Sequence, residues 1–383
     1  MKRKIVIFAL VALIAVGMVF ALAACNDGSS LLDGRFAKAP DSVYGEDKTM
    51  IVYLGDSIAE GILGSSPLSL RHEYSYPSLV GRVNDFTYYN HSVSGHLSKD
   101  LLALISHEEG YDGARALITH VAQADIIHIS ILGNDVLQDR ADGAYADNPV
   151  TMHSIIVEAA LNEGDARFTS IDRVLNGEGD TPGSVENLVN IVKRLKELNP
   201  DATIVFQSVY NPIMDVDTPL IKQPTRDALA AGGFEITLES LHEMGALLIG
   251  RLNSALDSAK ALLEEEGYEN PFYVVSGPDA LNAVYNADKE RAERLIYPDG
   301  IHPSNEGHAV LAAATQELLV ELGLADADDS LAAYKELRKN NLTDYFAASV
   351  DVAAVSSDID AAGSFDAVSE IYFDAIAGKS PVY

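Results

Sequence analysis

From position 50 onward, short apolar runs recur along the chain, and longer stretches with helical spacing separate them. The runs lie at 50–54, 86–90, 125–132, 202–209 and 272–276 and are rich in Val, Ile, Tyr and Phe. Runs of this length between helical spacers predict βαβ units and a parallel sheet. The spacer at 185–198 places Leu188, Ile191, Val192 and Leu195 on one face, and 241–266 and 307–322 behave in the same way. Two stretches, 136–183 and 212–237, break the alternation with Gly, Asp and Pro, and they read as lid or rim insertions with one helix near 152–161. Beyond 324 the composition shifts to Ala, Asp and Ser, with helices expected at 331–339 and 365–376, no motif, and no role that the sequence discloses. Neither an internal repeat nor a heptad run is present, which removes solenoid and coiled-coil readings.

The first positions follow a different pattern. Lys2, Arg3 and Lys4 precede an apolar run from Ile5 to Ala24, broken only by Gly17, and the chain's single cysteine follows at Cys25. A basic n-region, an apolar h-region and small residues before a cleavage point mark residues 1–24 as an export signal rather than fold. An uncleaved anchor is the competing reading, since the run is nearly long enough to span a bilayer. Leu22-Ala23-Ala24-Cys25 resembles the bacterial lipobox, which implies cleavage before Cys25, lipid on its sulfur and attachment to the outer face of a bacterial membrane. Residues 25–48 are polar and aperiodic, a tether between lipid and domain. With Cys25 spent on lipid, the mature chain has no thiol for disulfides, metal or nucleophilic catalysis.

At 383 residues the chain suffices for one large domain with insertions or two small ones, and 48% hydrophobic content supplies the core. The formal charge of −30 becomes more negative once the basic leader leaves. Such a surface repels phosphate polymers, so nucleic acid is excluded as a partner, and the acid serves solubility.

Four elements carry candidate chemistry. The first apolar run ends in Gly55-Asp56-Ser57, which puts a serine beyond the carboxyl end of a strand, where parallel sheets bind ligands. The second run leads to Asn90-His91-Ser92-Val93-Ser94-Gly95-His96, where Gly95 allows close backbone approach. His91 and His96 lack a carboxylate at ligand spacing and read as surface residues rather than metal ligands. The third run ends in Gly133-Asn134-Asp135, whose Asn134 amide suits a developing oxyanion. The last is Asp299-Gly300-Ile301-His302-Pro303, in which Asp299 can fix the tautomer of a basic His302. Singly, each reads equally as a cap or turn. Together, all four fall at strand ends or just before helices.

In this order they resemble the blocks of the SGNH/GDSL hydrolases: Gly55-Asp56-Ser57 block I, Asn90 to Gly95 block II, Leu132 to Asp135 block III, and Asp299 to Pro303 block V. Tyr210-Asn211-Pro212 is similar to a segment of bacterial acylhydrolase members. The resemblance covers about residues 49–324 and leaves 325–383 unassigned. It implies a three-layer α/β/α sandwich around a central parallel five-stranded sheet, flavodoxin-like in order. It also implies a serine ester hydrolase, lipase or acylesterase, without metal or organic cofactor. Ser57, His302 and Asp299 would form its triad, and Ser57, Gly95 and Asn134 its oxyanion hole. Block III usually opens with glycine where this chain has Leu132, so a narrowed pocket is expected there. Two other readings share these residues. One is a carbohydrate O-acetyl esterase of the same fold; the other is a surface lipoprotein that binds without turnover, which the intact residue set disfavours.

Overall fold

The computed structural model describes residues 48–62, 68–106, 114–141 and 143–381. The leader, Cys25 and all of the tether before Lys48 lie outside them. Five strands form one sheet: β1 (Met50–Gly55), β2 (Thr87–Asn90), β3 (Ile126–Ser130), β4 (Thr203–Gln207) and β5 (Tyr273–Val275). Their order is β2-β1-β3-β4-β5, and every pair is parallel. Strand alternation sends Val52, Leu54, Ile127, Ile129 and Phe206 into one core and Ile51, Tyr53, Val205 and Val275 into another. Helices cover both faces, which is why the strands read as continuous apolar runs rather than alternating ones. This is the expected α/β/α sandwich, with its strand order reversing between β1 and β3.

Helices follow the strands in chain order. After β1 come α1 (Ser57–Glu60), α2 (Leu68–Tyr74) and α3 (Tyr76–Val83); after β2 come α4 (Ser98–Ser106) and α5 (Ala114–Val121). Between β3 and β4 lie α6 (Gly133–Leu137), α7 (Met152–Leu161), α8 (Thr169–Asn176) and α9 (Ser184–Leu198). The face expected on α9 is buried in full. Between β4 and β5 come α10 (Gln223–Ala231) and α11 (Leu238–Glu265). After β5 the chain continues as α12 (Gly277–Ala287), α13 (Lys289–Glu293), α14 (Asn305–Glu321), α15 (Ala327–Asn341), α16 (Val352–Ala361) and α17 (Phe365–Ile376).

The insertion at 136–183 holds more helix than expected of it. It carries α7, closed at its start by a Thr151/Ser154 capping box, and α8, which was not anticipated. Ile155, Ile156, Ile171, Val174 and Leu175 from these helices are buried in the same core as β1 and β3. The segment is therefore a wall of the molecule, since its apolar face gains more from burial than its Gly- and Asp-rich flanks lose. In the second insertion α10 also forms, with Pro224 in the first turn, where its missing N–H costs nothing.

The C-terminal region adds three helices to the other core. Tyr334, Leu342, Ile359, Val368 and Tyr372 are buried there. Arg338 is fully buried, its guanidinium 4.8–5.4 Å from the rings of Tyr74, Tyr334, Tyr372 and Phe373. Cation–π attraction in so dry a place contributes about 2 kcal/mol, and it joins α15 and α17 to α2. Among the described residues no helix is long and apolar enough to cross a membrane.

Candidate active site

The sequence Gly55-Asp56-Ser57 is dictated by the crowding between β1 and β3. Gly55 has φ +130°, and a Cβ there would lie 1.8 Å from the Ser130 carbonyl oxygen, so no other residue fits. Asp56 caps α1 by accepting the Ile58 N–H at 2.9 Å, and its own N–H donates to the Ser130 carbonyl. Ser57 is therefore the first helical residue, and its N–H is one that a helix leaves unsatisfied. Burial pushes the Asp56 carboxyl up to about 7, against the opposing hydrogen bonds from Ile58, Ala59 and Ser130.

That shift predicts a pH-dependent stability. An ordinary aspartate in the unfolded chain titrates near 4, so between about 4 and 7 the folded chain holds this proton more tightly. The stabilisation is complete below the lower value and is lost as pH rises through the upper one. Asp56→Asn should thus gain melting temperature relative to the parent as pH goes from 4 to 7.5. Parallel thermal melts measure the difference, and a pH-independent gap contradicts the burial account.

Ser57 Oγ lies 2.9 Å from His302 Nε2, and His302 Nδ1 lies 2.7 Å from Asp299 Oδ2. The other carboxyl oxygen of Asp299 accepts the N–H groups of Ile301 and His302. Burial raises the Asp299 pKa, yet these N–H groups and the His302 ring outweigh it and hold the carboxyl below its usual range. The loop that carries the pair is closed on itself. Tyr297 N–H donates to the His302 carbonyl, Ser304 Oγ to the Arg294 carbonyl, and Ile296 bridges Pro303. Tyr210 Oη donates to the Ile301 carbonyl at 2.5 Å, so the Tyr210-Asn211-Pro212 segment braces this loop from the end of β4.

Gly95 and Asn134 face the same cavity as Ser57 and His302. Gly95 has φ +83° in a turn closed by His96 N–H donating to the Val93 carbonyl. Its carbonyl accepts from Gln138 Nε2 at 2.6 Å, and Glu60 Oε2 accepts both the N–H and the hydroxyl of Ser94. Arg71 holds the other oxygen of Glu60 at 2.6 Å. Asn134 Nδ2 donates to the His96 carbonyl at 3.1 Å. Buried Asp135 accepts from Ser98 and Ser184 and so ties α6 to α4 and α9. The sequence reading missed Glu60 and Gln138, because only the tertiary fold puts them against the Gly95 turn.

Two expectations are corrected. Leu132 does occupy backbone suited to glycine, with φ +94°, at a strain cost of about 1–3 kcal/mol. Its side chain, however, is buried in the core with β3 and does not line the cavity, so it narrows nothing there. His91 and His96 are half-buried rather than on the surface. His91 Nε2 sits 2.8 Å from His120 Nδ1, the His120 ring stacks on Tyr89, and burial with the neighbouring His120 pushes the His91 pKa down to about 4.

The cavity holds about 460 Å³. Polar groups gather at the strand ends around Ser57, and helices α7, α8 and α11 supply its remaining wall. In an open parallel sheet, ligands bind at the reversal of strand order, and here that point lies between β1 and β3.

Residues 53–310 match the GDSL-like Lipase/Acylhydrolase family over more than half of the chain. The chain belongs to this family. A hydrolytic, esterase- or lipase-like activity follows from membership in general terms. Among curated protein sequences none matches this chain. Solved structures similar to it include a lipolytic G-D-S-L family protein from Veillonella parvula, with 13% identity over 71% of this chain and 98% of that one and a TM-score of 0.37. An extracellular lipase from Streptomyces rimosus is 17% identical over 73% of this chain and all of its own (100%), at a TM-score of 0.38. A family 3 carbohydrate esterase from Clostridium thermocellum is 14% identical over 73% and 100%, at 0.39.

Proposed function

We propose that this GDSL family member is a serine carboxylic ester hydrolase of the lipase or acylesterase type that works through an acyl-enzyme. The observation that carries the reading is the unbroken hydrogen-bond chain from Ser57 through His302 to Asp299 at an apolar cavity. Asp299 accepts the proton on Nδ1, which leaves the lone pair of Nε2 facing the serine hydroxyl. Ser57 Oγ attacks the ester carbonyl carbon as its proton passes to Nε2. The negative oxygen of the tetrahedral intermediate is held by the N–H groups of Ser57 and Gly95 and the amide of Asn134. Collapse breaks the ester bond, and the alcohol departs with the proton from Nε2. A water then repeats the sequence on the acyl-enzyme, releasing the acid and restoring the hydroxyl. The test is covalent labelling by a fluorophosphonate, read by mass spectrometry of the Ser57 peptide. An unlabelled parent protein overturns the reading.

Asn134→Ala removes one oxyanion donor and should lower kcat by about 10² to 10³-fold with little change in KM. Steady-state kinetics on a chromogenic ester measure it, and a loss under about fivefold excludes Asn134 from the oxyanion site.

We also infer that the chain is exported and anchored through lipid on Cys25, as the leader and the Leu22-Ala23-Ala24-Cys25 sequence indicate. Cys25→Ala should move the protein out of the membrane fraction and abolish incorporation of labelled palmitate. Retention of both contradicts the anchor.

A further inference from the structure

We propose that the cavity beside Ser57 is a chamber for a single aliphatic acyl chain of about eight to fourteen carbons, and that α7, α8 and α11 set this selectivity. The proposal rests on the ester-hydrolase reading and names the acyl group that the site accepts.

The chemistry of the walls is the first ground. Every lining residue that α7, α8 and α11 contribute is apolar, chiefly Met152, Ile155 and Ile156 from α7, Ile171 from α8, and Leu248 and Leu252 from α11. Met152, Ile155 and Ile156 share one face of α7 by their spacing, and Leu248 and Leu252 share one face of α11. Near the end of β4 the donors are already engaged, and of the described polar atoms there only Gln207 Oε1, at the strand end rather than among the helices, has no partner. Asn211 Nδ2 donates to the His242 carbonyl, Ser208 Oγ to the Val275 carbonyl, and Gln207 Nε2 to the Ser208 carbonyl. A sugar ring placed among these helices finds no side chain there to pair with its hydroxyls, and unpaired buried hydroxyls are costly. An alkyl chain needs no partners.

Size is the second ground. A cavity of about 150 Å³ takes a six-carbon ring, and on that scale 460 Å³, of which the part between Ser57 and Asn134 goes to the ester group, has room for roughly a dozen chain carbons. An acetyl group leaves nearly all of that space to solvent. Burial of each further methylene should raise kcat/KM by about fourfold at most, until the chamber is full. The position of the chamber is the third ground, because Ser57, Gly95, Asn134 and His302 line the same space, so an acyl tail in the chamber has its carbonyl among them.

The experiment is a series of p-nitrophenyl esters, from acetate through butyrate, octanoate and dodecanoate to hexadecanoate, hydrolysed by the full chain. We expect kcat/KM to rise by at least about 100-fold from acetate to octanoate, to peak at octanoate or dodecanoate and to fall at hexadecanoate. Ile156→Trp pushes an indole into the chamber and obstructs it, and should lower the octanoate-to-acetate ratio by about tenfold or more. Leu252→Phe makes the same test from α11 should the first variant fail to fold, with circular dichroism as the check. A second readout needs no turnover. Ser57→Ala should bind one dodecanoate per chain by titration calorimetry, and adding Ile156→Trp should weaken that binding. Acetate preference, or a flat series in a chain that the fluorophosphonate labels at Ser57, overturns the chamber and leaves the catalytic reading standing. Dodecanoate binding with no labelling overturns the catalytic reading and leaves the chamber. Absence of dodecanoate binding to Ser57→Ala overturns the chamber whatever the labelling shows.

Discussion

Ser57→Ala should lower kcat for any ester substrate by about 10⁵ to 10⁶-fold and abolish fluorophosphonate labelling. Loss of a serine nucleophile costs this much when the histidine and acid act only through it, since neither has a task once the hydroxyl is gone. The geometry here is of that kind. His302 Nε2 has Ser57 Oγ at 2.9 Å, and Asp299 reaches the reaction only through the ring. On the proposed mechanism the N–H pocket and the acyl chamber remain in the variant and would hold the ester for slow attack by water at about 10³-fold over the uncatalysed rate. Burst and steady-state kinetics with one chromogenic ester give the ratio. A variant that keeps more than about one per cent of the parent rate would require another nucleophile.

Arg291→Met should destabilise the fold by about 3–5 kcal/mol. The Arg291 side chain is 7% exposed and that of Glu306 is 4% exposed, with Nε to Oε1 at 2.8 Å. Removing the guanidinium leaves a buried carboxylate with Arg294 alone, at 3.2 Å, as its ionic partner. Loss of one partner from a buried pair is costly because the survivor stays desolvated. The further pairs to Asp366 and Glu370 are half open to water, so screening leaves them a small share of the total. Urea unfolding at neutral pH provides the check, and a loss below about 1 kcal/mol sinks the account. The double change Arg291→Met with Glu306→Leu should recover part of the loss, since no charge is then stranded. The consequence reaches the site, because Arg291 precedes and Glu306 follows the loop that holds Asp299 and His302. Asp374 grips Arg294 at 2.6 Å from α17, so the region outside the family match takes part in fixing that loop.

The three inner strands were legible in the chain because burial on both faces leaves a continuous apolar run, and the half-buried edge strands β2 and β5 were legible through their Tyr and Val content. The 152–161 helix was legible through its pattern alone, and 365–376 likewise. Helices α8 and α16 were not, since α8 sits among Gly- and Asp-rich residues that read as loop and α16 lies in the Ala-, Asp- and Ser-rich tail, so packing against neighbours rather than local pattern decides that they are helical. At the site, Gly55, Asp56 and Ser57 were readable as a unit because one local constraint, a strand turning into a helix against β3, requires all three. Asp299 and His302 were readable for the same reason, as neighbours in one tight loop. Glu60 and Gln138 were not, since each meets the Gly95 turn from 34 and 43 positions away and nothing in its own surroundings marks it.

The sequence alone determined what short-range forces determine: strand and helix periods, the cap at Asp56, the bend at Gly300, and which residue types stand at strand ends. Family membership follows from those same local patterns. Tertiary structure alone decided that Ser57 and His302 meet across 245 positions, that the helices of 136–183 pack into the core and line the cavity, and that Leu132 faces the core. It also decided that the last helix braces the loop that carries Asp299 and His302. These outcomes depend on burial and ion pairing between distant segments, energies that arise only once the chain has folded and that no window of neighbouring residues contains.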